Sequence, residues 1–335
     1  MGFCKKMNNK NDISIICAPF GIGGPNDAAK DGPSAMIRYG LANDLKELGF
    51  NVKVINPPKN VSAYRRIGVS AKGEKNRIKN IDAIVKVNEW LAKTILNEIK
   101  DGYIPLTIGG DHSLGIGTIS GVHDALKSLG VLWIDRHFDA HHPKVTVTWR
   151  AHGMPSMVAI AKRDLDPHDD FQKLLSIGEN KKLPKVKPEN FVYFAIGEKS
   201  FTKPKTKWFL MEDIDNIGIN KAIESAINYL LKRVKYIYIA WDIDAMSITG
   251  TGTHGDSQLT LREGLVIARA IYKKIFSARR LAGIEMMEIA PRLERKDLRG
   301  QTVAWANELI TTSFGGNLFN NLSQMERNLN IHATD

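Results

Sequence analysis

The chain predicts one α/β domain, a parallel sheet with helices on both faces, and three observations carry that prediction. Short apolar runs of strand length alternate with segments whose apolar residues recur at helical spacing, from about residue 13 to residue 314. No linker-like stretch interrupts the alternation, so residues 12–316 read as one unit with polar tails at 1–11 and 317–335. The residues equipped for chemistry lie where apolar runs end, which is where open parallel sheets place their sites.

Each element has its own signal. Residues 13–18 (ISIICA) read as a short strand, followed by a glycine-rich loop over 19–32. That loop lacks both G-x-G-x-x-G spacing and the lysine of a P-loop, so it reads as an active-site rim or turn. Pro33 can open a helix that runs to about residue 48 and stops at Gly49, and 52–55 is a second strand. Between 80 and 100, Ile84, Val87, Leu91, Ile95 and Ile99 mark an amphipathic helix leading into a strand at 104–108. A helix over 115–129 delivers the chain to a central strand starting at Val131. Beyond it, 156–161 is helical, 162–189 has no clear period and reads as surface, and 191–196 (FVYFAI) is a strand. A helix at 222–232 precedes a strand at 236–241. A helix at 261–276 follows, then a strand at 281–289 carrying Glu285 and Glu288, and a closing helix at 302–314.

Composition narrows the function classes. The 335 residues are 43% hydrophobic and 25% charged, ordinary for a globular protein. Lys and Arg number 47 against 36 Asp and Glu, a formal net charge of +11. The basic residues are scattered and form no arginine-rich or RNA-binding signature, so a solvated basic surface is expected and no nucleic-acid partner. Only Cys4 and Cys17 are present, which excludes a disulfide framework and points to a reducing, cytoplasmic setting. No run approaches the ~18 apolar residues of a membrane span, and the N-terminus lacks the apolar core of a signal peptide.

The chemistry gathers on residues 131–155, VLWIDRHFDAHHPKVTVTWRAHGMP. An apolar run ends in Asp135, His137 and Asp139 at every second position, and alternate residues of an extended chain share a face. Alone, this pattern fits a hydrogen-bonded polar strand end as well as a ligand set. Two other strand ends favour ligands: His112 follows one apolar run, and Asp242 and Asp244 repeat the period of two after another. Together these are two imidazoles and four carboxylates with no thiol, more negative charge than one divalent ion can use. Such a shell suits two hard to borderline cations such as manganese, with nickel or cobalt also fitting, and argues against structural zinc. Two ions sharing carboxylates acidify a water held between them.

These residues sit within motifs that occur together in one family. GGDHS, D-x-H-x-D, HGMP, D-x-D followed by a GTGT turn, and G-I-E-M-M-E-I-A-P resemble, in order, the arginase/agmatinase (ureohydrolase) superfamily, over almost the whole chain. The resemblance implies a three-layer α/β/α sandwich with a mostly parallel sheet and a dinuclear manganese centre, two ions per subunit. It also implies hydrolysis of a small guanidino compound to urea and an amine, and a homo-oligomer, trimer or hexamer. By carry-over, His112, Asp135, Asp139 and Asp242 hold one ion and Asp135, His137, Asp242 and Asp244 the other. His152 matches the proton-shuttle histidine. Glu288 matches the glutamate that pairs with the guanidinium, its plainer alternative being a salt bridge to Arg292. Thr253 lines the same pocket.

Departures from the pattern fall at the substrate rim. His141, Thr148 and Arg150 stand where arginases place Asn, Ser and Asn to read the α-substituents. The segment 197–202 (GEKSFT) lacks the family's aspartates, and the loop after Asp244 lacks its Asp-Pro. Arg136 replaces an alanine and needs a partner if buried. GTGT resembles agmatinases and guanidino-acid hydrolases, whereas HGMP resembles arginases. Arg150 tilts the expectation toward a guanidino acid, since it offers charge to a substrate carboxylate. The alternatives are a formimino or other C–N hydrolase and a catalytically silent metal-binding homologue.

Overall fold

The structure, a computed structural model, describes residues 12–66, 76–198, 204–252 and 258–316. The expected tails at 1–11 and 317–335 therefore lie outside the described residues. In chain order the elements are β1 (Asp12–Ala18), α1 (Gly32–Tyr39), α2 (Leu41–Glu47), β2 (Asn51–Ile55), α3 (Lys59–Ser62), α4 (Ile81–Asp101), β3 (Ile104–Gly109) and α5 (Gly115–Ala125). There follow β4 (Leu129–Ile134), α6 (Pro155–Ile160), α7 (Asp169–Leu175), β5 (Phe191–Ile196), β6 (Lys207–Leu210), α8 (Met211–Ile217), α9 (Ile219–Leu231), β7 (Tyr236–Asp242), α10 (Leu261–Ile271), β8 (Leu281–Met287) and α11 (Gln301–Ser313).

The eight strands make one sheet in the order β2-β1-β3-β8-β7-β4-β5-β6, every pairing parallel. Parallel strands need helical crossovers, which cover both faces and make the central strands apolar throughout. Alternate residues divide between two cores. Ile13, Ile15, Leu132 and Ile239 pack with α1, α2, α9, α10 and α11, whereas Ile16, Val131, Trp133 and Tyr193 pack with α4 to α7. Each fully buried aliphatic side chain contributes about 1.5–3 kcal/mol. The sheet between two helical layers is the expected sandwich.

Several boundaries differ from the sequence expectation. The helix expected over 33–48 is broken at Gly40, whose φ of 114° is left-handed and which caps α1 by donating to Ile37 and Met36 carbonyls. The helix expected to reach 129 ends at Ala125 because Leu126 turns extended, and β4 begins at Leu129. Residues 162–189 are not all surface: α7 buries Phe171, Leu174 and Leu175. Seven residues give too few turns for a period to stand out among Asp, Lys and Pro. Edge strand β6 and helix α8, also short, carried no signal either. The helix at 261–276 keeps α geometry to Ile271 and finishes as a π turn over Tyr272–Phe276.

The sheet order decides where the site can be. The strands β3, β8, β7 and β4 are neighbours, so their carboxyl ends set His112, Glu288, Asp242 and Asp135 along one stretch of rim.

Candidate metal centre and substrate pocket

All but one of the ligand-type residues occupy turns just past the strands; Asp242 is the last residue of β7. β4 stops at Ile134, and Asp139 has a φ of 46°, so the shared orientation of Asp135, His137 and Asp139 comes from a curled loop and not from an extended chain. Hydrogen bonds shape that curl. Asp135 donates its N–H to the Phe194 carbonyl (3.1 Å), and its Oδ1 accepts the His137 N–H (2.6 Å). After β7 the same device recurs, with Asp242 Oδ1 accepting the Asp244 N–H (2.8 Å). After β3, Asp111 accepts from Ser113 N–H (3.0 Å) and Gly23 N–H (2.9 Å), fixing the turn that carries His112. A Cβ on Gly23 would lie 2.4 Å from Ser113 Oγ, so the glycine-rich loop exists here to let backbone approach this turn.

Two groups of donor atoms result. His112, Asp135, Asp139 and Asp242 form one, and Asp135, His137 and Asp244 form the other. His112 Nδ1 lies 3.1, 3.2 and 3.0 Å from carboxylate oxygens of Asp135, Asp139 and Asp242. In the second group, His137 Nδ1 is 2.9 Å from Asp244 Oδ2 and 3.5 Å from Asp135 Oδ1. The geometric grouping places Asp242 in the first set and not, as the carry-over has it, in both.

The donor set fits divalent cations. Ligands about 2.1 Å from the centre of an octahedron stand about 3 Å from each other, the separation seen around His112 Nδ1. His112 Nδ1 and Asp135 Oδ2 are buried without a hydrogen-bond partner. Without cations, burial and then the neighbouring charge of Asp135 push Asp139 up to about 7. Burial, with Asp244 and Asp135, holds Asp242 well above the carboxylate range. For His112 burial opposes the charge, but the close carboxylates of Asp135, Asp139, Asp242 and Glu285 outweigh it and the imidazole is raised well above its usual value. Such a cluster is waiting for compensating positive charge.

His112 is further held from behind. Its ring stacks on Trp133 at 4.2 Å and 5°, and its Nε2 lies 3.6 Å from Glu285 Oε1. Glu285 Oε2 accepts from Tyr238 Oη (3.0 Å) and from Thr118 Oγ1. A carboxylate behind a ligating imidazole orients the ring and raises its basicity.

A cavity of about 170 Å³ opens onto the two groups; His137, Asp244, His141, Thr148, His152, Glu198 and Glu288 are among its lining residues. It is smaller than the ~300–1,000 Å³ of drug-sized sites, which suits a small substrate. Glu288 reaches it from a left-handed backbone (φ 61°), with Oε1 accepting the His112 N–H at 2.9 Å. Strain of this kind persists where the surroundings impose it. Arg292 does not pair with Glu288; it binds Asp27 (2.5 Å) and Asp31 (3.2 Å). His152 is pushed down to about 3, by burial and then the charges of His137 and Arg150, so its imidazole is neutral. Burial, with His142 and His137, also lowers His141.

Of the remaining expected substrate contacts, Arg150 is outside the lining and donates from Nη1 to the Gly24 carbonyl at 2.6 Å. Thr253 lies outside the described residues. Arg136 is half-buried rather than buried. Sequence reasoning passed over three residues. Asp111 lies inside the GGDHS motif beside His112, and Glu285 lies on the strand at 281–289 beside Glu288. Glu198 stands in the segment noted for lacking aspartates, although it supplies a carboxylate to the pocket.

Known proteins resemble this chain over almost its whole length. The model of the Arginase family matches residues 11–315. Arginase from Bacillus caldovelox is 30% identical over 315 residues, covering 91% of this chain and 99% of the relative. Human arginase-1 is 33% identical over 292 residues, covering 84% and 85%. The solved native structure of the Bacillus caldovelox arginase at pH 5.6 superimposes with a TM-score of 0.79 and 28% identity, over 92% of this chain and 99% of that one.

Proposed function

The chain belongs to the arginase family, hydrolases that act on guanidino compounds, and from that premise we propose that it is a binuclear metal-dependent amidinohydrolase, one catalytic domain over residues 12–316. Its substrate is a small guanidino compound, released as urea and an amine. The observation that carries this reading is the cage at the rim of four adjacent strands, in which three carboxylates surround His112 Nδ1 at 3.0–3.2 Å beside a second imidazole–carboxylate group. We assign His112, Asp135, Asp139 and Asp242 to one cation and Asp135, His137 and Asp244 to the other, so that Asp135 is common to both groups. Manganese is the expected metal because the donors are oxygen and imidazole nitrogen. Two bound cations supply an acidified water and a positive field for the charge that develops during hydrolysis.

The chain's own groups do the rest. Glu288 is placed to pair with the guanidinium, held by the His112 N–H while Gly252 packs so close that a Cβ there would lie 2.6 Å from Glu288 Oε2. His152 enters neutral and would take a proton from solvent and hand it to the departing amine. Among the described residues no helix is long and apolar enough to cross a membrane. A cytoplasmic homo-oligomer, trimer or hexamer, completes the reading.

The test is urea release by metal-loaded protein from arginine, agmatine, guanidinobutyrate, guanidinopropionate and guanidine, with metal analysis of the same sample. Urea and two ions per chain are expected. Formamide from a formimino substrate, or a single ion, would overturn the reading.

A further inference from the structure

The glycine-rich loop after β1 touches the pocket's machinery at three places. The Gly23 carbonyl accepts the His152 N–H (3.2 Å), and the Gly23 N–H donates to Asp111 Oδ2 (2.9 Å) in the turn that carries His112. At the loop's end a Cβ on Gly32 would lie 2.6 Å from the Ile289 carbonyl oxygen, so backbone packs on backbone immediately after Glu288.

One side chain closes this arrangement from outside. Arg292 stands four residues beyond Glu288, in the short turn Pro291–Leu293, and its guanidinium faces two carboxylates of the glycine-rich loop. Nη2 lies 2.5 Å from Asp27 Oδ1, and Nε lies 3.2 Å from Asp31 Oδ2. Lys30 also pairs with Asp27, and Arg65 Nη2 lies 3.7 Å from Asp31 Oδ1. A single exposed ion pair contributes little, but a planar fork shared between two carboxylates inside a network fixes a geometry that one pair does not.

Glu288 needs such an anchor. Its left-handed backbone (φ 61°) persists only where the chain on both sides is held. On the near side its N–H donates to the Gly110 carbonyl (2.8 Å). On the far side the Ala290 N–H donates to the Gly250 carbonyl (2.7 Å), and Arg292 then ties the turn to the opposite loop.

We propose that Arg292 is a positioning residue: by binding Asp27 and Asp31 it latches the glycine-rich loop against the turn after β8, and so sets how tightly Glu288 and the pocket hold a guanidinium. This rests on the amidinohydrolase reading for the identity of the ligand group but not for the latch.

The experiment uses the full-length manganese-loaded protein and butylguanidine, a guanidinium without a charged tail, as a calorimetric probe. Arg292→Gln removes a charge from an exposed side chain, so the fold and both ions should remain. Its Kd for the probe should rise about fivefold, the scale of two weak ion pairs acting together, with KM for guanidino substrates rising in step and kcat changing less than about twofold. Arg292→Lys, whose point charge reaches one carboxylate but does not span both, should fall between the wild type and Arg292→Gln. Salt gives a second reading. From about 0.1 M to about 1 M the screening length falls from about 10 Å to about 3 Å, and probe affinity should drop more in the wild type than in Arg292→Gln, which has no latch left to screen. An unchanged Kd in Arg292→Gln, a lysine variant no better than the glutamine one, equal salt dependence in the two proteins, or loss of an ion would overturn the assignment. Urea release with probe binding indifferent to Arg292 defeats the latch alone. Arg292-dependent probe binding without urea from any guanidino compound defeats the amidinohydrolase reading alone.

Discussion

Stripping the cations should make the protein's stability fall as pH rises, and the structure gives the sign and the size. In the cation-free fold Asp139 titrates at about 7, against an ordinary value of 3.8. The folded state therefore keeps a proton that the unfolded chain releases from about pH 4 upward, and the penalty grows until about pH 7. A difference of about three pH units is worth on the order of 4 kcal/mol, shared across the carboxylate cluster rather than owned by one residue. Asp242, also raised, acts with the same sign. The imidazoles agree: His112 is raised, so its contribution is complete below about pH 6.5 and fades as pH climbs through its higher folded value. With cations bound the order reverses, because protons compete for the same atoms and metal affinity rises with pH. The assay is differential scanning calorimetry of chelator-stripped and manganese-reloaded protein at pH 5.5 and pH 8. The metal-induced increase in Tm should be larger at pH 8 by roughly 5–15 °C. An increment that stays constant across that range would refute the reasoning, since it would mean that the cluster holds no trapped protons for the cations to displace.

Three further outcomes follow from single side chains. His137→Ala should lose one ion, seen by metal analysis, together with nearly all turnover. Glu288→Gln should keep both ions while kcat/KM for the preferred substrate falls about 10- to 100-fold, the scale of a charge-assisted hydrogen bond; loss of metal would make Glu288 structural instead. Glu285→Gln, which removes the charge behind His112, should weaken metal affinity about 10- to 100-fold in a competition titration while the fold persists.

The fold was legible where burial dictates composition. Strands such as β5 and β7 are covered on both faces, so they appear as unbroken apolar runs with their ends nearly in place. Short elements gave no such signal. The seven residues of α7 complete under two turns, and the helix break at Gly40 depends on a left-handed backbone that glycine permits without requiring.

The candidate site was legible for a reason that differs from the one its spacing suggested. A period of two across Asp135, His137 and Asp139 implies a strand, yet the chain is already past β4 and Asp139 has turned left-handed. What survives the change of geometry is the chemistry: short carboxylates at a strand's end cap the next backbone N–H groups and so fold the turn that presents them. Asp135 caps His137, Asp242 caps Asp244, and Asp111 caps Ser113. Asp135 and Asp242 shape the loop with one oxygen and turn the other toward His112 Nδ1, Asp111 spends both on backbone N–H groups, and Glu198 gives one to the Phe138 N–H. Arg150 shows the opposite limit, because nothing in its neighbourhood in sequence reveals that the Gly24 carbonyl, 126 residues away, will take its guanidinium. The lining at the far end of the pocket is therefore the part of the site that depends on contacts between distant loops, which neighbours in sequence do not reveal.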